Sequence, residues 1–338
     1  MQDLKKLGIA VLLILFFIFV VVAVVHLNIV ADANTPAGKG KIERAVVVRP
    51  GQGFKALSVM LYNKGLILHP VKLRLFARFH GYDKHIKAGE YLLSDAMTPE
   101  KMLQIMMEGK VLLHRLTIPE GYNLRQIAQA VETAGFGTKA DFLKTASDPE
   151  FVHSLGIDAQ TFEGYLFPDT YYFPIDETQK DIIRTMIKRF REVFTAKYKD
   201  RTKAVGMTIH QVITLASIIE KETAIAEERP IISSVFHNRL KRKMRLESDP
   251  TVIYGIKDYN GNITRKDLES PTPYNTYTIR GLPPGPISNC GIKAIEAALY
   301  PADTKYLYFV AKKDGTHYFS TNFEEHERAV RKYQLGRY

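Results

Sequence analysis

The strongest hydrophobic pattern in the chain is an uninterrupted apolar run close to the N-terminus. Leu7–Val25 contains no charged or strongly polar side chain, and a helix of this length spans a bilayer core. Lys5 and Lys6 precede the run and few basic residues follow it closely, which places the N-terminus in the cytoplasm. The pattern predicts a cytoplasmic tail over residues 1–6, a transmembrane helix over residues 7–27 and an exported remainder.

A cleaved signal peptide is the alternative interpretation of this run. Ala31-Asp32-Ala33 resembles a cleavage site, but the apolar stretch is longer than the ~7–15 residues of a signal core. A retained anchor is therefore favoured, followed by a Gly- and Pro-containing linker over residues 28–45. An anchor and a signal peptide would both export the rest of the chain, which argues against a cytoplasmic nucleotide-dependent enzyme.

Beyond the linker, two segments share a pattern of a β-branched strand, a Pro/Gly turn and an amphipathic helix. The first runs from Val46 to about Gly65 and the second from Leu116 to about Gly135, with a further predicted strand at Ala88–Leu93. The pattern resembles the LysM glycan-binding module, and an ordinary strand–helix unit accounts for it equally well. We predict a LysM-like α/β module over residues 46–115.

The remaining residues, 116–338, are predicted to form a mixed α+β catalytic domain. Thr208 can cap a helix that runs to about Thr223, and Pro230 can stand near the start of the next helix. An Asp-Gly turn at Asp314 joins two alternating segments into a hairpin. The aromatic stretch Phe162–Phe173 is expected to pack mainly in the core. The fold class is therefore α+β.

Composition narrows the possible functions. The 338 residues carry a net charge of +11, and the densest basic run is Arg239–Arg245. No nucleic-acid-binding motif accompanies that run, so we interpret it as a solvated helix end and expect no nucleic-acid partner. The single cysteine, Cys290, excludes an intrachain disulfide and a cysteine-based zinc site. The ten histidines show no metal-ligand spacing, and His237 and His326 are interpreted as structural.

Several reaction classes have no support in the sequence. The chain lacks a P-loop, a Gly-rich dinucleotide turn, an H-E-x-x-H helix, a G-x-S-x-G elbow and an S-x-x-K motif. We therefore predict neither a metal nor a cofactor. Catalysis by a carboxylate side chain is the reaction class that remains.

Glu220 and Glu222 are the main carboxylate candidates, and on a helix they point in different directions because they are two residues apart. The neighbours of Glu222 at helical spacing are apolar, namely Ile218, Ile219, Ile225 and Ala226. Those of Glu220 are small or polar, namely Ala216, Ser217, Thr223 and Ala224. Apolar surroundings raise a carboxyl pKa, as a general acid requires, provided that the helix continues past Thr223.

The spacing alone does not fix the roles of these carboxylates. Glu222 could be an ordinary surface glutamate. Glycoside cleavage usually takes two carboxylates, and Asp249, or with less support Glu247, is the second candidate. However, Asp249 precedes Pro250, and an Asp-Pro pair commonly starts a turn.

At these residues the chain resembles the YceG-like family of endolytic murein transglycosylases. The resemblance extends over the whole chain and is carried by five segments, namely Ala216–Thr223, Ser233–Leu240, Ser248–Gly255, Tyr274–Tyr277 and Gly281–Ile287. Two departures from the family pattern are Cys290, where proline is frequent, and Glu327 after His326, where asparagine is frequent.

The resemblance implies cleavage between N-acetylmuramic acid and N-acetylglucosamine without water. One glutamate protonates the glycosidic oxygen and then takes the proton of the muramic 6-hydroxyl, which closes a 1,6-anhydro ring. Glu222-Thr223 looks like the Glu-Ser pair of other lytic transglycosylases, which selects Glu222. The candidates for substrate binding are Asn275, Tyr277, Tyr254, Asp249 and Glu220. The loop Gly281–Ile287 is expected to line the cleft or to set backbone geometry.

The resemblance also implies a cellular role. The enzyme would sit in the inner membrane with its catalytic domain in the periplasm, where it trims or terminates nascent glycan strands beside peptidoglycan synthases. Two alternatives remain, a non-catalytic peptidoglycan-binding scaffold and a hydrolytic muramidase that uses water. Only the transglycosylase leaves anhydromuramic ends.

Overall fold

The structure, a computed structural model, describes residues 2–257 and 259–336. The chain divides into two compact units. Unit 1 runs up to His114 and also includes Pro174–Asp176, whereas unit 2 contains Arg115–Phe173 and continues from Glu177. Met1 of the predicted tail lies outside the described residues. So do Asp258 and residues 337–338 of the predicted catalytic domain.

Unit 1 contains a long N-terminal helix and a small α/β body. Its elements are α1 (Gln2–Ala33), β1 (Glu43–Val48), α2 (Phe54–Asn63), α3 (Pro70–Phe79), β2 (Gly89–Ser94) and α4 (Pro99–Glu108). β1 and β2 pair antiparallel, with Val46 opposite Tyr91, and both side chains are fully buried. Thr98 caps α4 by accepting from the backbone N–H of Lys101, and Pro99 occupies the first turn.

α1 is an apolar helix, as predicted, and its length and composition suit a membrane span as well as a signal sequence. It continues six residues beyond the predicted end at residue 27, because no glycine or proline interrupts the chain before Pro36. Its last turn also gains tertiary contacts, since Ile29 and Ala33 are buried in the core of unit 1. The first residues of the predicted linker are therefore helical.

The core of unit 1 lies between the β1–β2 pair and the helices. Leu57 and Leu61 of α2, Phe76 of α3 and Met102 of α4 are almost completely buried there. The predicted strand–turn–helix at residue 46 and the strand within 88–93 are both present. The resemblance of residues 46–115 to a LysM module stays a prediction.

Unit 2 is mixed helix and strand, which confirms the predicted α+β class. Its elements are β3 (His114–Thr117), α5 (Leu124–Thr133), α6 (Lys139–Ala146), α7 (Pro149–Ser154), β4 (Thr170–Phe173), α8 (Gln179–Val193), α9 (Ala196–Ala204), α10 (Ile209–Glu222), α11 (Arg229–Lys241), α12 (Asp249–Gly255), α13 (Arg265–Glu269), α14 (Ile292–Leu299), β5 (Tyr308–Ala311), β6 (His317–Ser320) and α15 (Phe323–Tyr333). β3 pairs with β4, and β5 pairs antiparallel with β6 in the hairpin predicted around Asp314-Gly315.

α10 is the central helix of unit 2. It begins with a capping box, in which the side chains of Thr208 and Gln211 each accept from the other residue's backbone N–H. All residues from Val212 to Ile219 are buried, so this helix is enclosed on every side rather than amphipathic. α14 packs along it. The aromatic stretch Phe162–Phe173 also contributes to this core, as predicted.

Candidate active site

Glu222 is the last residue of α10. Thr223 follows in an extended conformation, and its hydroxyl accepts a hydrogen bond from the backbone N–H of Ile225 at 3.0 Å. That bond replaces the next turn of the helix. The prediction of a raised Glu222 pKa from its helical neighbours assumed that the helix continues past Thr223, and it does not. Ile225 therefore does not stand one helical turn beyond Glu222.

The Glu222 carboxyl nevertheless lies in apolar surroundings. Ile218 and Ile219, one turn earlier, are fully buried, and Glu222 itself is only partly exposed. Burial raises the pKa of Glu222 to about 7, a hydrogen bond from Ser248 opposes the rise, and the negative charge of Asp249 adds to it. The carbonyl end of α10 also disfavours a negative charge at this position. Such a carboxyl can give and take a proton near neutral pH.

Ser248 is the direct partner of Glu222. Its hydroxyl donates to Oε1 of Glu222 at 2.5 Å, and the serine is 2% exposed. Two buried threonines fix this serine. Its backbone N–H donates to the Thr276 hydroxyl at 2.9 Å, and its carbonyl accepts from the Thr251 hydroxyl at 2.6 Å. The serine hydroxyl therefore has a fixed position from which it orients the carboxyl.

Arg239 on α11 stabilises the loop that precedes Ser248. Arg239 is 6% exposed, and its guanidinium donates to the carbonyls of Leu307, Arg245 and Leu246. It also pairs with Glu247 at 2.9 Å. Glu247 has a φ of +50°, an unfavourable conformation for a residue with a side chain, immediately before the serine. The basic run is predicted to be a solvated helix end, and for Arg239 that prediction is wrong.

Glu220 points away from Glu222 into a different set of contacts. Its carboxylate pairs with Arg229 at 3.0 Å, and both side chains are largely buried. The backbone N–H of Gly291 donates to its other oxygen at 3.1 Å. Burial raises the pKa of Glu220, while the positive charge of Arg229 opposes that effect. These contacts connect α10 with α11 and with the start of α14.

Asp249 and Tyr277 form a second polar pair close to the Glu222 carboxyl. The Tyr277 hydroxyl donates to Oδ1 of Asp249 at 2.6 Å. Asp249 is exposed in the first turn of α12, next to Ser248. The pKa of Tyr277 is raised by burial, by this hydrogen bond, and by the charges of Asp249, Glu247 and Glu222. Tyr277 therefore remains a neutral hydroxyl group.

Asn275 stabilises, through hydrogen bonds, the loop that carries Thr276 and Tyr277. It is 1% exposed, and its amide nitrogen donates to the carbonyls of Asp267, Leu268 and Ser270. Its amide oxygen accepts from the backbone N–H of Tyr277 at 2.9 Å. In this structure the Asn275 side chain holds the loop, so a contact with substrate would require it to exchange these bonds.

Tyr254 contacts a buried carboxyl that sequence patterns did not single out. Its hydroxyl donates to Oε2 of Glu163 at 3.1 Å, and Glu163 is 4% exposed. The Leu124 N–H and the Asn289 amide also donate to Glu163. Burial raises the pKa of Glu163 to about 7, and these hydrogen bonds oppose the rise. The sequence feature that could have identified Glu163 is its position within an aromatic stretch that is otherwise predicted to be buried.

A cavity of about 450 Å³ opens beside Tyr254. Three basic residues line it, namely Arg125, Lys221 and Lys257. Tyr259 and Ile287 contribute aromatic and apolar surface. Lys221 precedes Glu222 in the chain, so the cavity adjoins the end of α10. Its positive lining suits an anionic substrate.

The loop Gly281–Ile287 is attached to α10 at two points. The His210 ring is hydrogen-bonded to the carbonyl of Pro284 at 2.9 Å, and the backbone N–H of Ile287 donates to the Ser217 hydroxyl at 3.0 Å. The loop therefore sets backbone geometry beside α10, and Ile287 lines the cavity; its expected place in the substrate cleft stays a prediction.

Metal and thiol chemistry gain no support from the contacts. Within residues 2–257 and 259–336, no group of three or more histidine, cysteine, aspartate or glutamate side chains could hold a metal ion. Cys290 is buried, and burial raises the pKa of its thiol well above the usual range, which keeps it protonated. His237 is hydrogen-bonded to the carbonyl of Ala298.

Together these contacts define a class of protein, an α+β protein in which an oriented carboxyl of raised pKa, Glu222, lies beside a basic cavity. The YceG-like family matches residues 46–332. The endolytic murein transglycosylase of Bacillus subtilis is 34% identical over 299 residues, covering 84% of this chain and 82% of that protein. The chain belongs to the YceG-like family.

Two further comparisons agree. The endolytic murein transglycosylase of Streptococcus pneumoniae is 31% identical over 317 residues, covering 84% of this chain and 57% of that longer protein. A crystal structure of a yceG-like protein from Listeria monocytogenes is 39% identical, with a TM-score of 0.60, and the match covers 86% of this chain and 100% of that one.

Proposed function

We propose that this protein is an endolytic peptidoglycan lytic transglycosylase with Glu222 as its acid and base. The observation that carries the proposal is the 2.5 Å hydrogen bond from Ser248 to a carboxyl whose pKa is about 7. The relatives' shared name, endolytic murein transglycosylase, supplies the substrate class. The bond cleaved is that between N-acetylmuramic acid and N-acetylglucosamine.

The reaction requires one carboxyl in two protonation states. Protonated Glu222 gives its proton to the glycosidic oxygen as the bond to muramic C1 breaks, and the N-acetylglucosamine part leaves as an alcohol. The carboxylate then takes the proton of the muramic 6-hydroxyl while O6 bonds to C1. The anhydro ring closes, Glu222 is protonated again, and no water is consumed. A pKa of about 7 makes both states accessible at neutral pH.

A single carboxyl suffices because the nucleophile belongs to the substrate. Asp249, the candidate for a second catalytic carboxylate, accepts a short hydrogen bond from Tyr277. In our proposal Asp249 and Tyr277 contact the sugar beside the cleaved bond. Tyr254 and the basic cavity hold the next part of the strand, whose peptide carboxylates suit Arg125 and Lys257. Asn275 and Glu220 position the loop and helix rather than the substrate.

Unit 1 would hold the enzyme near newly made polymer. We propose that α1 anchors the chain in the inner membrane with both bodies in the periplasm, and that residues 46–115 form a glycan-binding module. The strand–helix–helix–strand order from β1 to β2, with its antiparallel pair, supports that proposal. An anchored enzyme could terminate nascent strands beside a synthase.

The test is digestion of purified peptidoglycan by the full chain in detergent, with products identified by mass. Wild type is compared with Glu222→Gln and with a matched control, Glu269→Gln, whose glutamate lies on the exposed helix α13. We expect anhydromuramic ends from wild type and control but not from Glu222→Gln. Reducing muramic ends would instead indicate a hydrolase. Binding without cleavage by folded wild type would indicate a scaffold.

A further inference from the structure

The exposed end of α3 is an apolar and basic surface that the proposed reaction does not use. Phe79, the last residue of α3, is 65% exposed, and Leu75, one turn earlier, is 40% exposed. Arg78 and Lys84 are exposed beside them. Among the ion pairs of the described residues, none involves either cation. The aromatic and aliphatic side chains suit the apolar part of a membrane interface, and the two unpaired cations suit its anionic headgroups.

Contacts between α1 and α3 fix the height of this surface along α1. At the start of α3, His69 lies 2.6 Å and Lys72 3.4 Å from the Asp32 carboxylate. At the other end, the Phe79 ring stands edge-on to the His26 ring, with centroids 5.9 Å apart. The two helices therefore run antiparallel, and the end of α3 lies beside the residue that follows the apolar run Leu7–Val25.

The rise per residue of an α-helix converts these contacts into depths relative to the bilayer. If α1 spans the bilayer, His26 stands at the boundary of the hydrocarbon core, and Phe79 stands at the same level. Asp32 lies six residues, or about 9 Å, farther out. The headgroup layer on each side of the core is only about 5–7 Å thick. Phe79 and Leu75 are therefore within the layer, whereas Val71, eight residues before Phe79, is about 12 Å farther out.

We propose that Leu75, Phe79, Arg78 and Lys84 form a lipid-docking surface that binds the outer leaflet of the membrane spanned by α1. Phe79 enters the boundary of the hydrocarbon core, Leu75 lies in the headgroup layer, and the two cations contact lipid phosphates. The surface would fix unit 1 against the bilayer at a second point.

This inference rests on the proposed membrane span, so its test must report on both. The chain contains no tryptophan, and a single introduced tryptophan is therefore a clean depth reporter. The full chain is reconstituted in vesicles whose phospholipids carry bromine, which quenches tryptophan on contact. The three variants are Phe79→Trp, the matched control Val71→Trp on the same helix, 55% exposed, and Phe17→Trp in the apolar run.

We expect bromine near the headgroup to quench Phe79→Trp several-fold more than Val71→Trp, and deep bromine to quench Phe17→Trp. Equal quenching at positions 79 and 71, with Phe17→Trp quenched, would overturn the docking surface and leave the span intact. An unquenched Phe17→Trp would overturn the span and the docking surface together.

The charge of the surface is tested by lipid composition. Adding phosphatidylglycerol to phosphatidylcholine vesicles should increase quenching of Phe79→Trp, and Arg78→Gln with Lys84→Gln should abolish that increase without changing the signal of Phe17→Trp. An increase that survives both substitutions would contradict the assigned role of the two cations.

Discussion

Ser248 donates its hydroxyl proton to Oε1 of Glu222 across 2.5 Å, joining a loop residue to the last residue of the central helix. This hydrogen bond stabilises the carboxylate form and so lowers the Glu222 pKa, against the stronger effect of burial. The same contact orients the carboxyl. Both consequences can be separated by measurement.

Replacing the serine should slow the reaction and move its pH profile. In Ser248→Ala the carboxylate loses its hydrogen bond, so the pKa of Glu222 rises and the alkaline limb of kcat moves to higher pH. Loss of one charge-assisted hydrogen bond should also reduce kcat by about tenfold or more. The measurement is kcat against pH on peptidoglycan fragments. An alkaline limb that stays in place would contradict the assigned role of this contact.

Asp249→Asn should move the same limb in the opposite direction. The negative charge of Asp249 raises the Glu222 pKa, so its removal lowers that pKa. Protonated Glu222 is then lost at lower pH, and the alkaline limb shifts toward acid. Glu269→Gln serves as the control, since Glu269 is an exposed carboxylate on α13 that pairs with Arg265 and is not among the groups that shift the Glu222 pKa. Equal shifts from both variants would count against this assignment.

Arg239 should be essential for the loop that presents Ser248. Arg239→Ala leaves three backbone carbonyls without their charged donor, and we expect unfolding free energy to fall by at least about 3 kcal/mol. Lys241→Ala, two residues later and exposed, should change it by less than about 0.5 kcal/mol. Denaturant unfolding of both variants gives the comparison. Similar midpoints would show that the loop does not depend on Arg239.

Glu163 should make stability depend on pH. Its pKa is about 7 in the folded state against an ordinary value of 4.5, so the folded protein holds this proton more tightly. The resulting stabilisation is complete below pH 4.5 and disappears as pH rises through 7. Glu163→Gln should therefore have its largest deficit in unfolding free energy below about pH 4.5, and the deficit should shrink toward about pH 8. A deficit that grows with pH would show that Glu163 is ionised when folded.

Local signals in the sequence were sufficient for several elements. Thr208 predicted the start of α10, the Asp314-Gly315 turn predicted the last hairpin, and the apolar run predicted α1. Helical spacing and the family resemblance selected Glu222, and the structure gives that residue a raised pKa. The end of α10 was placed within one residue.

Other parts of the site depend on contacts between distant segments, which periodicity cannot show. Ser248 lies 26 residues beyond Glu222, and Glu163 lies 91 residues before its partner Tyr254. Arg239 looked like its basic neighbours because nothing in the local sequence distinguishes a buried arginine from a solvated one. Its burial follows from carbonyls near residues 245 and 307 that only the tertiary fold brings together.

Digestion in water enriched in oxygen-18 tests the central claim most directly. Wild-type chain cleaves purified peptidoglycan in labelled water, and the new ends are analysed by mass. We predict anhydromuramic ends that carry no label, since O6 of the substrate replaces water, and no new ends with Glu222→Gln. Labelled reducing ends, or continued cleavage by Glu222→Gln, would contradict the account.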